Sequence, residues 1–111
     1  MTRKESLAEL IAKVEAGDAT NDGSMFRVFG DKWTTCFDAF HGSLDAAKAL
    51  HDAVLPEYGY GVIGTMSDGD CRACVVPKID NPPEYHGRSE IPARAWLLAI
   101  LRALHSMEAE S

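Results

Sequence analysis

The architecture of this chain of 111 residues follows from one segment, Tyr58-Gly59-Tyr60-Gly61-Val62-Ile63-Gly64-Thr65-Met66. Side chains of different size alternate along it, which is the two-residue period of a β-strand. The Asp68-Gly69 pair that follows supplies the positive φ angles of a tight hairpin turn. Residues 71–76 then continue as a return strand that ends before Pro77. We therefore predict a β-hairpin over residues 58–76.

Helical patterns precede the hairpin. Apolar residues recur every three or four positions over residues 3–16, where Thr2 is placed as an N-cap and Gly17 as the end. A second helix is predicted over residues 43–55, with Ser43 as its N-cap. Together with a third helix near the C-terminus, these elements predict one α+β domain, in which a small antiparallel sheet is packed between helices like an α/β/α sandwich.

The segment between the first two helices is ambiguous. Residues 25–29 fit one or two helical turns closed by Gly30, and they also fit a short strand paired with residues 33–37. We predict a short helix at residues 25–29 and a strand at residues 33–37.

A long polar loop is predicted over residues 78–90. It contains the chain's most concentrated functional groups: Asp80, Asn81, Glu84, Tyr85, His86 and Arg88. Long loops in small domains are usually either functional or mobile, so two interpretations stand. The loop is a binding site for a ligand or partner, or it is a solvated connection. As a site, it suits protein recognition through Tyr85 and Arg88 better than catalysis.

The last predicted helix, over residues 92–107, is apolar nearly all round at Trp96-Leu97-Leu98-Ala99-Ile100-Leu101. One explanation is a homodimer, and its interface residues would be Trp96, Leu98, Arg102 and His105. The other explanation is burial within one chain, between the sheet and the first helix.

Two motifs resemble cofactor sites. Cys71-Arg72-Ala73-Cys74 has the spacing of a zinc knuckle, but zinc needs converging thiolates and two further ligands. Positions three apart in a strand point to opposite faces, so we predict no metal site. The glycines over residues 59–64 match a dinucleotide fingerprint, but they are not followed by a helix, so we predict no cofactor.

Charge and composition narrow the function. The chain carries a net charge of −6, and Arg3-Lys4 is its longest basic run, which argues against generic nucleic-acid binding. The apolar run over residues 95–101 is far shorter than the ~18 residues of a membrane span. The 3 cysteines, with no export signal, indicate reduced thiols in a cytoplasm.

Several segments resemble the phage ABA sandwich domains, small prophage-encoded proteins. Leu10-Ile11-Ala12-Lys13-Val14-Glu15-Ala16-Gly17 is similar to the family's opening helix. Phe40-His41-Gly42-Ser43-Leu44-Asp45-Ala46-Ala47 is similar to the start of its middle helix, and Leu55-Pro56-Glu57-Tyr58-Gly59-Tyr60 to the strand after it. Ile91-Pro92-Ala93-Arg94-Ala95 is similar to its closing helix, with Ile91 in place of Thr. The resemblance implies a sheet between helices and a phage or prophage gene in a bacterium. The family has no established activity, so it implies no catalytic residue.

These observations predict a non-enzymatic, cytoplasmic accessory protein that binds a host or phage protein. One version is an inhibitor of a defence complex, whose acidic surface blocks a basic nucleic-acid channel. Two alternatives remain. One is a small-molecule-binding protein or enzyme that uses Glu84 and His86 of the loop, and the other is a zinc module built on Cys71 and Cys74.

Overall fold

A computed structural model of the chain describes residues 2–17, 23–63, 67 and 69–109. Its helices are α1 (Arg3–Ala16), α2 (Ser24–Phe29), a 3-10 turn (Gly30–Lys32), α3 (Trp33–Phe40), α4 (Leu44–Val54) and α5 (Pro92–Ala109). Its strands are β1 (Tyr58–Ile63), β2 (Cys71–Pro77) and β3 (Tyr85–Ser89), which form one antiparallel sheet in the order β1-β2-β3. The predicted α+β class in a single domain is confirmed.

Two of the helices begin at the predicted caps. The Thr2 hydroxyl accepts a hydrogen bond from the Glu5 backbone N–H at 3.1 Å, and the Ser43 hydroxyl accepts one from the Ala46 N–H at 3.1 Å. Gly17 ends α1 with a left-handed φ of 75°, which a residue with a Cβ rarely adopts. Local sequence chemistry therefore fixes where α1 and α4 start and where α1 ends.

Helix α5 lies in the middle of the molecule. It packs against β2 and β3 on one side and against α1, α3 and α4 on the other. The layers therefore run from the sheet to α5 and then to the other helices. Among the described residues, α5 is the helix that contacts the sheet most extensively. None of the described helices combines the length and apolar character needed to cross a membrane.

Gly87 determines how closely β3 approaches α5. A Cβ added there would overlap the Ala95 carbonyl oxygen and would lie 2.8 Å from the Leu98 Cβ. Both neighbours belong to the helix, and a backbone oxygen cannot move aside as a flexible side chain can. Only glycine therefore allows this contact between strand and helix.

The prediction of a strand at residues 33–37 is wrong, because these residues form the first part of α3. The buried residues of α3 are Cys36, Ala39 and Phe40, which have helical spacing and extend beyond residue 37. The predicted short helix is confirmed as α2. Gly30, with a φ of 57°, ends α2, and the chain continues through the 3-10 turn instead of a hairpin.

The prediction of a loop over the whole of residues 78–90 is also wrong, because residues 85–89 form β3. This strand pairs with β2 from Cys71↔Ser89 to Val75↔Tyr85. It lacks an apolar alternation because its positions facing α5 are Tyr85, Gly87 and Ser89, and Gly87 has no side chain to bury. The strand is therefore stabilised by long-range pairing and packing, which a local pattern does not reveal.

The predicted hairpin corresponds to β1 and β2, whose register runs from Tyr58↔Pro77 to Ile63↔Arg72. Of the connection between them, residues 64–66 and 68 lie outside the described residues, as do residues 18–22 of the ambiguous segment. Gly69 has the positive φ, 88°, that the turn prediction requires at this position.

Candidate functional site

The predicted loop residues do not converge on one site. Asp80 is exposed in the connection before β3. Glu84 Oε2 and His86 Nε2 lie 3.3 Å apart, and their side chains are 59% and 64% exposed. A pair this open to solvent lacks the water-excluded environment that strengthens catalytic charges. The geometry therefore gives no support to general acid–base chemistry at Glu84 and His86.

The other two predicted loop residues bind within the chain. The Tyr85 hydroxyl lies 2.9 Å from the Ser106 hydroxyl on α5, so this side chain points toward the helix layer. Arg88 Nε donates to Asp70 Oδ2 at 2.5 Å. Both residues connect β3 to neighbouring elements, which is a structural role.

The residues of the hypothetical subunit interface are also used within the chain. Trp96 is 4% exposed and Leu98 2% exposed, because the sheet and the other helices cover α5 from both sides. Arg102 donates to the His86 carbonyl oxygen at 2.5 Å, and its other terminal nitrogen lies 3.3 Å from Glu15 Oε1. His105 is half-buried. Burial within one chain thus accounts for the apolar character of α5.

The cysteine pair lies on opposite faces of β2. Cys71 is buried on the α5 side, where its thiol lies 3.7 Å from the Glu90 carbonyl oxygen. Cys74 is half-buried on the other face, beside Gly61. The two sulfurs therefore cannot bind one ion, and the described residues contain no group of three or more His, Cys, Asp or Glu placed to hold a metal. Burial raises the pKa of the Cys36 thiol to about 12, which keeps that thiol protonated.

A buried histidine that the sequence did not single out connects three elements. His51 of α4 is 1% exposed. Its Nε2 donates to the Tyr58 carbonyl oxygen at 2.8 Å, and its Nδ1 accepts from Trp96 Nε1–H at 3.3 Å. A carbonyl only accepts, so the proton is assigned to Nε2. Both ring nitrogens are thus satisfied, and His51 is a structural residue.

A polar cleft of about 550 Å³ lies between the end of α1, β3 and α5. The charged residues that line it are Glu15, Asp70, Arg88, Glu90, Arg94 and Arg102. Arg94 Nε donates to the Phe40 carbonyl oxygen at 3.1 Å, and its guanidinium lies over the Phe40 ring, 4.0 Å from the centroid. Burial lowers the pKa of Arg94, and Glu90 opposes that shift. The charges of the cleft are balanced, and its arginines join the layers of the fold.

An apolar groove of about 530 Å³ lies between α2 and α3. Its lining residues are Gly23, Met25, Phe26, Trp33, Thr34, Phe37 and Asp38. The Phe26 side chain is 56% exposed and that of Trp33 is 41% exposed. Trp33 and Phe37 contact each other edge to face, with ring centroids 6.3 Å apart. Isolated apolar residues are normal on protein surfaces, whereas an apolar groove with two exposed aromatic rings is typical of an interaction site.

The groove arises because α2 is apolar on two faces. Met25, Val28 and Phe29 are buried in the core, and Phe26 lies between them in sequence but faces outward. Arg3 fixes the end of the helix by donating to the Val28 carbonyl oxygen at 2.8 Å. If residues 25–29 form a helix, Met25, Val28 and Phe29 occupy its buried face and Phe26 must point to solvent. The presence of an aromatic residue at this outward position is the sequence signal from which the groove could have been predicted.

Two other surfaces with exposed apolar side chains, one at Leu44 and Tyr60 and one at Ile79 and Met107, are less suited to binding. Tyr60 stacks on Trp96, with centroids 4.5 Å apart, and Lys48 Nζ lies 5.9 Å from its ring centroid. This aromatic surface is therefore partly occupied by the chain's own residues. Ile79 and Met107 are exposed at the C-terminal end of α5, where the neighbouring rings of Tyr58 and Tyr85 are half-buried. Aromatic side chains dominate binding energy at protein interfaces, so the groove between α2 and α3 is the better candidate.

Comparison of this chain with protein-family models, with curated proteins and with solved structures finds no match.

Proposed function

We propose that this protein is a non-enzymatic accessory protein of phage or prophage origin that acts by binding another protein through the groove between α2 and α3. The observation that carries the proposal is the exposure of Phe26 and Trp33 on one apolar groove. Aromatic side chains that a folded chain leaves open to water are the typical anchors of protein interfaces.

The exposed aromatic rings of the groove offer apolar area that a partner would cover on binding. Aromatic side chains bury about 150–250 Å² each, so the exposed fractions of Phe26 and Trp33 amount to on the order of 200 Å². At ~25 cal/mol per Å², covering that area contributes about 5 kcal/mol before the cost of association is subtracted. Two aromatic anchors therefore contribute part of the binding free energy, and further contacts with the partner are needed to offset the cost of association.

The phage origin is supported by the resemblance of α1, of the start of α4 and of the start of α5 to phage ABA sandwich domains. Cys36, Cys71 and Cys74 form no disulfide with one another, which supports a reducing compartment such as the cytoplasm of a bacterial host. The net charge of −6 supports a partner with a basic surface, for which a defence complex with a nucleic-acid channel is one version.

The test is affinity capture from phage-infected bacteria with three forms of the tagged protein: wild type, Phe26→Asp and Ile79→Asp. Both substitutions place one carboxylate at an exposed apolar position, and Ile79 is the matched control because it is 63% exposed and outside the groove. We expect one protein to be recovered by wild type and Ile79→Asp but lost with Phe26→Asp. Recovery of no protein that shows this pattern, from variants with equal thermal stability, contradicts the proposal.

Neither alternative function gains a supporting observation. A small-molecule site or enzyme would need Glu84 and His86 in a pocket, and both side chains are largely exposed. A zinc module would need Cys71 and Cys74 on one face of β2, and they face opposite ways. Protein binding is therefore the function that the geometry supports best.

A further inference from the structure

We propose that the groove between α2 and α3 binds a short amphipathic segment of the partner, with two or three apolar side chains on one face and a lysine or arginine beside them. This inference rests on the proposed function and specifies the chemistry of the ligand at the same site.

The size of the groove favours a short segment over a second copy of this chain. A stable protein–protein interface buries about 800 Å² on each partner. The exposed parts of Phe26 and Trp33 supply on the order of 200 Å² of that area. The volume of about 530 Å³ is within the range, about 300–1,000 Å³, of pockets that enclose compact ligands. A few side chains of one segment therefore fill the groove.

The polarity of the lining favours an amphipathic segment. Met25, Phe26 and Phe37 form the apolar part of the groove. Thr34 and Asp38 also line it, and they are four residues apart on α3, so they lie on the same face of that helix. One side of the groove is thus apolar and one edge is polar. A segment with an apolar face and an adjacent polar position matches both.

The charge at that edge favours a cation. Asp38 is exposed and lines the groove, and within the described part of the chain its carboxylate makes no hydrogen bond or ion pair. The cations of the neighbouring elements do not line the groove: Arg27 lies 3.6 Å from Glu9, and Lys32 belongs to the 3-10 turn. The exposed ring of Trp33 also attracts Lys or Arg through a cation–π interaction. The net charge of −6 adds long-range attraction for a basic segment.

The experiment is an NMR titration of the ¹⁵N-labelled full chain with a synthetic peptide. The probe is a peptide of leucine and lysine with leucines at helical spacing; its controls are the same peptide with glutamate for lysine and a scrambled leucine–lysine peptide. The chain has 2 tryptophans, so each indole N–H reports on one place. We expect the Trp33 signal to move, while that of Trp96 stays fixed because its Nε1–H is bonded to His51.

Two matched pairs of variants separate the apolar and charged contributions. Phe26→Asp is expected to weaken binding of the leucine–lysine peptide at least tenfold, whereas Ile79→Asp leaves it unchanged. Asp38→Asn is expected to weaken it about 1.4- to fivefold, because an exposed ion pair contributes about 0.2–1 kcal/mol. Glu57→Gln removes one exposed carboxylate outside the groove and is expected to have no effect on the Trp33 titration.

Four results overturn the inference. The first is equal binding of the glutamate or scrambled peptide, and the second is an equal effect of Asp38→Asn and Glu57→Gln. The third is a Trp33 signal that moves with protein concentration alone, which assigns the groove to a second copy. The fourth is a Trp33 signal that no peptide moves. If Phe26-dependent capture from infected cells persists in that case, the proposed function stands without this class of ligand. If capture is also independent of Phe26, both proposals fail.

Discussion

Helix α5 and the α2–α3 pair both carry apolar residues on more than one face. The extra apolar residues are buried in α5 and exposed in the α2–α3 pair. In α5 the sheet covers one side and three helices cover the other, so Trp96 and Leu98 are almost completely buried. In the α2–α3 pair the core covers one side only, and Phe26 and Trp33 remain exposed. The number of apolar residues in a helix therefore does not show whether the same chain covers both of its faces.

The largest change in stability is expected from a substitution that disturbs the contact between β3 and α5. A side chain at residue 87 would overlap the backbone of α5, so Gly87→Val is expected to lower the free energy of unfolding by about 4 kcal/mol or more, or to prevent folding. Urea denaturation measures this loss. Gly59→Val is the control, since a Cβ there meets the Val76 carbonyl oxygen at an ordinary 3.8 Å. Similar stability of both variants contradicts the close packing of α5.

The buried face of α3, which carries Cys36, is expected to be as well protected from solvent as α5 is. Burial raises the pKa of Cys36 from 9.0 to about 12, so its thiolate fraction near neutral pH is lower by about a thousandfold. Ellman's reagent is expected to react quickly with Cys74, which is half-buried, and with Cys36 only after unfolding. Cys74→Ser is the control and should abolish the fast phase. A fast phase that instead disappears with Cys36→Ser shows that α3 opens.

The raised pKa of Cys36 also predicts how stability depends on pH. The folded state disfavours the thiolate, so the stabilisation is complete below the unfolded value of 9.0 and is lost as pH rises toward about 12. Urea denaturation between those values is expected to show a decline that is smaller in Cys36→Ala than in wild type. An identical decline in both proteins would exclude Cys36 as its cause.

Shortening a buried side chain of α5 is expected to have a smaller effect on stability than the substitution of Gly87. Leu98 is fully buried between layers, and Leu98→Ala is expected to lower the free energy of unfolding by about 3 kcal/mol, through lost transfer energy and the cavity left behind. Thermal or urea denaturation measures it. A loss below about 1 kcal/mol would mean that α5 is less tightly covered than the structure indicates.

Truncation in the groove gives the smallest effect on stability. Phe26→Ala removes a side chain that is mostly exposed, so the free energy of unfolding is expected to change by at most about 0.5 kcal/mol. The same variant is expected to lose the partner captured by wild type. Strong destabilisation by Phe26→Ala would show that this ring belongs to the core and would remove the basis of the groove as a binding site.

The sequence was sufficient for the elements whose cause is local. Thr2 and Ser43 cap helices through contacts three residues away, and the alternation over residues 58–63 belongs to one strand. It was insufficient for β3, because the decisive residue, Gly87, has no side chain and takes its role from α5. It was also insufficient for α3, because the helical pattern of buried residues becomes complete only with Ala39 and Phe40, beyond residues 33–37.

The residues of the candidate site could also be predicted from the sequence only in part. The sequence located polar groups such as Glu84 and His86, but it could not show that they remain on an open surface or that Arg88 binds Asp70. The groove at Phe26 and Trp33 was not predicted, since their exposure depends on which face of each helix the rest of the chain covers.

Composition, caps and periodicity were enough to establish a small α+β domain with its hairpin and its main helices, because each depends on interactions between residues close in the chain. The position of α5 between two layers, the addition of β3 and the exposure of the groove depended on contacts between residues far apart in sequence. Burial is a property of the assembled layers, so the same apolar pattern becomes core in α5 and an open surface in the α2–α3 pair.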